Sequence, residues 1–199
     1  MPLPLVPTTE LDAVNEMLGA IGETPVSDLE VVGNTDTAIA ITTLHGISRE
    51  VQSKGWWFNQ DDSYTFTLDA NNKVPLIAQI IKLTPLGRGS VRLTHRNNFL
   101  YDLSNATDLF DPENPPAAKV TWFYDFELLP ETARRYISIR AARIFQKNVL
   151  GSEALDHFTE DHENTAFAVF ADEQDEFDFA RGYNFINDDP DTSAIGNRT

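Results

Sequence analysis

The sequence has no cysteine among its 199 residues, so disulfide bonds and thiolate metal sites are excluded. No apolar run approaches the roughly 18 residues that a membrane-spanning helix needs, so no membrane anchor is expected. The first ten residues, MPLPLVPTTE, lack the basic region and the long apolar run of a secretory signal. These absences favour a protein of the cytosol, or of a particle that is assembled there.

Positive charge is scarce, since 15 Lys and Arg residues stand against 31 Asp and Glu residues, a net charge of −16. The acids concentrate between Ser152 and Asp191, where Arg181 is the one base. A nucleic-acid-binding module conflicts with this balance, because phosphate contacts need clustered Lys and Arg. The acidity either confers solubility or forms a surface that repels DNA or meets a basic partner.

Sequence motifs for catalysis are missing as well. The chain contains no G-x-S-x-G, H-E-x-x-H, G-x-x-x-x-G-K-[ST] or G-x-G-x-x-G sequence. Glu153, His157 and Asp161 share one face of a predicted helix and could bind a metal, although such a face is more often solvated. We therefore predict no catalytic residue, no metal and no cofactor.

The strongest helical pattern runs from Leu129 to Ser152. Pro130 suits the first turn, and Gly151 readily takes the left-handed conformation that ends helices. Apolar residues recur between them at steps of three and four, while the five basic residues lie largely off that stripe. A second helix is predicted over Glu153–Phe179. It contains many acids, and its incomplete apolar stripe consists of Leu155, Phe158, Ala166, Val169, Phe170 and Phe177. The pattern therefore predicts a basic helix, a two-residue turn and an acidic helix.

Two helices are predicted in the N-terminal part, after an extended Pro-rich arm at residues 1–8. The first covers Thr9–Ile21 and begins with a possible capping box of Thr9 and Asp12. The second covers Asn34–Lys54 and ends at Gly55. From Trp56 onward, short alternating runs rich in β-branched and aromatic residues predict strands at 56–59, 63–68, 77–83, 90–95, 99–103 and 119–124. A tight hairpin is predicted at Arg96, Asn97 and Asn98.

These elements predict an α+β fold. Its N- and C-terminal segments form a four-helix bundle, and a mainly antiparallel β subdomain is inserted between them. The predicted segments are the N-terminal helical pair at 1–55, the β subdomain at 56–128, the C-terminal helical pair at 129–181 and a tail at 182–199. The tail is either disordered or orders on a partner.

Three stretches, in this order, resemble the tail tubular protein A family, the head-to-tail adaptors of short-tailed bacteriophages. They are AVNEMLGAIGETPVSDLE (Ala13–Glu30), QSKGWWFN (Gln52–Asn59) and LPETARRYISIRAARIFQ (Leu129–Gln146). The resemblance covers most of the chain, from about Leu11 to Phe185. It implies a non-enzymatic component of the virion tail, assembled in the host cytoplasm as a ring of identical subunits, a dodecamer.

The same resemblance implies the partners. The ring would lie beneath the portal protein, with a tail nozzle protein (tail tubular protein B) below, tail fibres at the side and a central channel. DNA would pass through that channel without specific binding. The resemblance carries no catalytic residues.

Ring assembly requires surface that stays unpaired in the monomer. The basic and acidic helices could offer opposite charges to adjacent subunits, and pairing within one subunit would explain them equally well. The end of the acidic helix and the tail supply aromatic residues. The candidate interface residues are Arg140, Arg143, Lys147, Phe170, Phe177, Tyr183 and Phe185.

The alternative function is a tail-associated enzyme that degrades bacterial surface polysaccharide. It would use carboxylates of the acidic helix or of the β region, whose separation in space a sequence does not show. Turnover of polysaccharide by the isolated subunit would distinguish this enzyme from an adaptor, which assembles and turns nothing over.

Overall fold

The structure is a computed structural model that describes residues 7–30, 35–86, 91–151 and 160–180. Within these ranges the chain is α+β, with four helices and five strands. The helices are α1 (Glu10–Ala20), α2 (Thr35–Ser53), α3 (Glu131–Leu150) and α4 (Glu160–Ala180). The strands are β1 (Gln60–Thr65), β2 (Ile80–Thr84), β3 (Leu93–Arg96), β4 (Phe99–Asp102) and β5 (Ala117–Trp122). A short 3-10 helix at Phe126–Leu128 precedes α3.

The chain divides into two compact units. Unit 1 comprises Met1–Ile47 and Leu129–Thr199, and unit 2 comprises Ser48–Leu128. The sequence prediction placed the start of the β subdomain at residue 56, whereas unit 2 begins at Ser48 and includes the last residues of α2. None of the described helices is long and apolar enough to cross a membrane.

In unit 1, α3 packs against both α1 and α4. The core residues of α1 and α3 follow the helical period, so that each helix buries one stripe. Those with no exposed surface are Ala13, Val14, Met17, Leu18, Ala133, Ile137, Ala141, Ala142 and Phe145. On α2, Ala40 and Leu44 are also fully buried, and His45 Nε2 lies 2.7 Å from the Glu10 carboxylate of α1.

The predicted helix ends are confirmed in unit 1. Thr9 accepts a hydrogen bond from the Asp12 amide, and the Asp12 side chain accepts one from the Thr9 amide, which completes the capping box. At the C-terminal end of α3, Gly151 has φ +62°, the left-handed conformation that glycine adopts without a steric cost. The predicted acidic helix is described from Glu160 onward, and its earlier part lies outside the described residues.

Unit 2 contains a three-stranded antiparallel sheet in the order β1-β5-β2, and a separate hairpin of β3 and β4. The predicted hairpin is confirmed, because Asn97 and Asn98 take φ values of +50° and +64° between these strands. One apolar cluster fills the unit, with Phe66, Val74, Leu93, Leu100, Ala118 and Val120 at its centre.

The strand predicted at Trp56–Asn59 is wrong, since these residues form a turn between α2 and β1. The turn is held by side chains rather than by a β ladder. Asn59 is fully buried, and its Oδ1 accepts from the Trp56 amide at 2.8 Å. Its Nδ2 donates to the carbonyl oxygens of Gln52 and Trp122, at 2.9 and 2.8 Å. Both N–H donors of this amide are therefore used, and its oxygen accepts a hydrogen bond from the backbone.

Gln52 forms the second half of the same network. Its side chain is fully buried, and its Oε1 accepts from the Tyr124 amide at 2.8 Å. Its Nε2 donates to the Tyr124 carbonyl at 2.9 Å and to Ser48 Oγ at 3.0 Å. Gln52 and Asn59 thus join the end of α2, the turn and the segment after β5. We define these two side chains as the turn amides.

Asp102 organises the loop that follows β4. Its carboxylate accepts from the Ser104 amide at 2.7 Å, the Asn105 amide at 3.1 Å and Asn105 Nδ2 at 2.7 Å. Burial acts to raise the pKa of the Asp102 carboxyl, but these hydrogen bonds, with the charge of Arg92, outweigh burial and leave the pKa below its usual value of 3.8.

Replacement of Asp102 by asparagine should lower the free energy of unfolding by about 1–3 kcal/mol at pH 7. The Asn oxygen can still accept from the Ser104 and Asn105 amides, but its NH₂ would face Asn105 Nδ2, and the charge that strengthens these hydrogen bonds would be lost. A carboxyl whose pKa is lower in the folded state stabilises the fold above its unfolded pKa, and this contribution disappears as the pH falls through the folded value. Urea melts should therefore show a smaller difference in the free energy of unfolding between D102N and the parent below pH 4 than at pH 7. A constant difference would contradict the assignment.

Candidate assembly site on the helix pair α3 and α4

Two basic residues of α3 form ion pairs with an acidic residue of the same chain. Arg143 Nε donates to Glu163 Oε2 at 2.5 Å, and Arg140 Nη1 donates to Glu163 Oε1 at 3.1 Å. Glu163 belongs to α4 and is 7% exposed. The two ion pairs compensate the desolvation cost of the buried Glu163 carboxylate, and this compensation is lost if α4 moves away from α3. The cluster therefore holds α4 on α3. Of the two explanations for the opposite helix charges, the structure shows the intramolecular pairing.

Other cations of α3 also have partners within unit 1. Arg135 Nη1 binds both carboxylate oxygens of Glu16 on α1, at 2.8 and 2.7 Å. Arg134 donates to the Thr8 and Leu129 carbonyl oxygens at 2.9 and 2.8 Å. Lys147 lies on the exposed surface of the last turn of α3.

Phe170 lies in the core of unit 1. Its side chain is 0% exposed and stacks on the Tyr136 ring, with centroids 5.6 Å apart and planes 18° apart. Phe167 lies against the same tyrosine with centroids 5.2 Å apart. The sequence prediction placed Phe170 among the interface candidates, but in the subunit it has no surface to offer to a partner.

The remaining surface of α4 combines aromatic and acidic side chains. Phe177 is partly exposed and lies between Glu176 and Asp178 in the sequence, and Phe179, which follows Asp178, is 85% exposed. The end of α4 therefore exposes an aromatic side chain among acidic ones. Tyr183 and Phe185, the two predicted candidates of the tail, lie outside the described residues.

Sequence reasoning missed two parts of this surface. Val169 was counted in the buried stripe of the acidic helix but is 54% exposed, and Phe179 was not singled out. Glu163 and Phe170, two turns apart, are the buried residues of α4, and Val169 lies about 100° from Phe170 around the helix. Adjacent apolar residues cannot both point to the centre of a narrow contact, so the sequence indicates that one of the two is exposed but not which one. Val149 and Leu150 at the end of α3 are exposed as well.

The described residues contain no group of three His, Asp or Glu side chains that could hold a metal. Glu153 and His157 of the possible metal face lie outside the described ranges, so that hypothesis stays a prediction.

A family model described as Tube, tail tubular protein, matches residues 11–179. The chain belongs to the tail tubular protein family. It is also similar to the tail tubular protein A of Klebsiella phage KP34, with 32% identity over 146 residues, which are 73% of this chain and 75% of that protein. Both findings confirm the resemblance of the sequence to this family.

Membership of the tail tubular protein family gives the conspicuous stretches a physical meaning. QSKGWWFN contains the two turn amides. Gly55 within it has φ +83°, a conformation that is strained for other residues, and a Cβ at this position would also displace the Gln60 side chain. LPETARRYISIRAARIFQ supplies the core face of α3 and the arginines that bind Glu16 and Glu163. Both stretches of this tail tubular protein carry packing and hydrogen bonding.

Proposed function

We propose that this phage tail protein is a head-to-tail adaptor, forming a ring that joins the portal to the tail nozzle and surrounds the DNA exit channel. Family membership over residues 11–179 supports a structural component of the virion tail. The observation that carries the assembly role is the exposed aromatic end of α4, because such a surface is costly on a protein that acts alone.

The ring is proposed to contain twelve copies, assembled in the host cytoplasm, with the four helices of each subunit forming a bundle. A heterologous contact between identical subunits closes a ring when the rotation between neighbours divides a full turn. Because Arg140 and Arg143 are bound to Glu163 inside the subunit, the contact relies on apolar surface. Phe177 and Phe179 of α4 are the proposed anchors, with Lys147 at the rim.

The proposed partners are the portal protein above, the nozzle protein tail tubular protein B below, and the tail fibres at the side. DNA passes through the channel without specific binding. The net charge of −16 supports this, since phosphates and carboxylates repel each other. No observation on the described residues favours the alternative, a polysaccharide-degrading enzyme, and the proposed role is non-enzymatic.

The experiment that tests this function is light scattering of the purified chain, alone and with the portal protein of its phage. The 22.3 kDa subunit should enter a discrete ring, either by itself or on the portal. A monomer that ignores the portal and releases reducing sugar from host polysaccharide would refute the adaptor and favour the enzyme.

Replacement of Phe179 by serine should weaken the ring at least tenfold in subunit concentration while leaving the melting temperature of the subunit unchanged. A buried aromatic anchor contributes about 2 kcal/mol or more to an interface, and an exposed one contributes little to folding. Sedimentation velocity across a dilution series measures the first effect and circular dichroism the second. Leu128→Ser is the matched control, an exposed apolar residue of unit 2. A ring of Phe179→Ser as stable as the parent would remove Phe179 from the interface, and equal loss of assembly in both variants would show that the effect is not specific to α4.

A further inference from the structure

An open groove runs over α3 between α1 and α4, entirely within unit 1. Its volume is about 610 Å³. Ile139, Ala166 and Val169 give it an apolar floor and wall, and Glu16, Arg135 and Glu131 border it. Val169 is 54% exposed there. The groove is therefore an apolar strip with polar ends.

The chain just before α1 is fixed at one end of this groove. The Thr8 amide donates to Glu131 Oε2 at 2.9 Å, and Thr8 Oγ1 donates to Glu131 Oε1 at 2.5 Å. Arg134 Nη1 donates to the Thr8 carbonyl at 2.9 Å. Three hydrogen bonds thus clamp Thr8 on the first turn of α3, and Glu131 itself lines the groove.

The residues that precede this clamp match the groove in chemistry. Residues 1–6 are MPLPLV, apolar throughout and without charged side chains. The two prolines favour an extended chain that loses little conformational entropy on docking. In an extended chain Leu3 and Leu5 point to the same side. That side can face Ile139 and Val169.

Residues 1–6 are also long enough to span the groove. From Glu131 to Ile139 the groove follows eight residues of α3, about 12 Å at 1.5 Å per residue. Six extended residues reach about 20 Å. We propose that residues 1–6 lie in the α1–α3–α4 groove of their own subunit and cover its apolar floor. A second copy is the less suitable donor, because the clamp already brings each chain to its own groove.

Disulfide trapping tests this placement, since the chain has no cysteine of its own. In the full-length protein, Leu5→Cys is combined with Val169→Cys, and in a matched control with Ala168→Cys. Residue 168 is exposed, adjacent in sequence and outside the groove lining. A disulfide requires Cα atoms within about 7 Å. Mild oxidation should cross-link the 5–169 pair within one chain and leave the 5–168 pair reduced, as seen by non-reducing electrophoresis and peptide mass.

Failure of the 5–169 pair, or equal cross-linking of both pairs, would overturn the proposal. A cross-linked dimer would show that the groove takes the arm of a second copy, and would overturn it as well. A second measurement uses Val169→Cys alone. Deletion of residues 2–6 should speed its modification by a charged thiol reagent about tenfold, the change expected if the groove is occupied in about nine molecules of ten. An unchanged rate would contradict occupancy. Neither experiment involves the portal, so their outcome is independent of the adaptor role.

Discussion

Replacement of Phe170 by alanine should lower the free energy of unfolding by about 3–5 kcal/mol. The ring has no exposed surface and stacks on Tyr136, so truncation leaves a cavity between α3 and α4. Removal of a buried phenylalanine combines lost transfer free energy with the cost of that cavity. The loss is a large part of the 5–15 kcal/mol that holds a typical domain together.

The matched control for this substitution lies nine residues away on the same helix. Phe179→Ala removes the same atoms from a side chain that is 85% exposed, and should change the free energy of unfolding by less than about 0.5 kcal/mol. Urea melts of both variants, followed by circular dichroism, measure the difference. If both substitutions lowered the free energy of unfolding by similar large amounts, the end of α4 would be buried in the subunit. If neither changed it, Phe170 would not be a core residue.

The ends of the helices were predictable from the sequence, whereas the buried face of α4 was not. The local signals of Thr9, Asp12 and Gly151 predicted helix ends correctly, because capping depends on residues within one turn. Local signals of this kind do not predict which apolar residues of α4 are buried. Phe170 and Val169 are neighbours in sequence, and only the position of Tyr136 on α3 decides which of them is buried.

The charged helices show the same limit. Ionic pairing within a subunit and pairing between subunits explained the two charged helices equally well, since both arrangements need the same residue types. Distance decides, and Glu163 lies between Arg140 and Arg143 of its own chain. Composition does not show which acid of an acid-rich helix is the buried one.

The turn between α2 and β1 was misread for a different reason. Trp56, Trp57 and Phe58 are typical strand residues, and propensity alone favours a strand. The contacts of Asn59 override it, because its amide bonds Gln52 and Trp122, one of which is 63 residues away. A long-range polar network of this kind leaves little local trace.

Replacement of Asn59 by aspartate should therefore destabilise unit 2 by about 3–5 kcal/mol at pH 7. The change is nearly isosteric, but it places an oxygen where Nδ2 donates to two carbonyl groups, 2.8 and 2.9 Å away. Two donors are lost, two carbonyl oxygens face a third oxygen, and the site is fully buried. An uncompensated buried carboxylate and two lost hydrogen bonds both act against the fold.

The pH dependence of this variant gives the assignment a second test. Burial among carbonyl oxygens should raise the pKa of the introduced carboxyl in the folded state above its unfolded value of about 3.9. A raised folded pKa means that stability is lost as the pH rises, so the penalty at pH 7 should shrink toward pH 4. Asn114→Asp, at an exposed position of the same unit, is the control and should cost less than about 0.5 kcal/mol at either pH. If N59D and N114D melt alike, the buried amide of Asn59 does not hold the turn, and the strand signal of Trp56–Phe58 must be reconsidered.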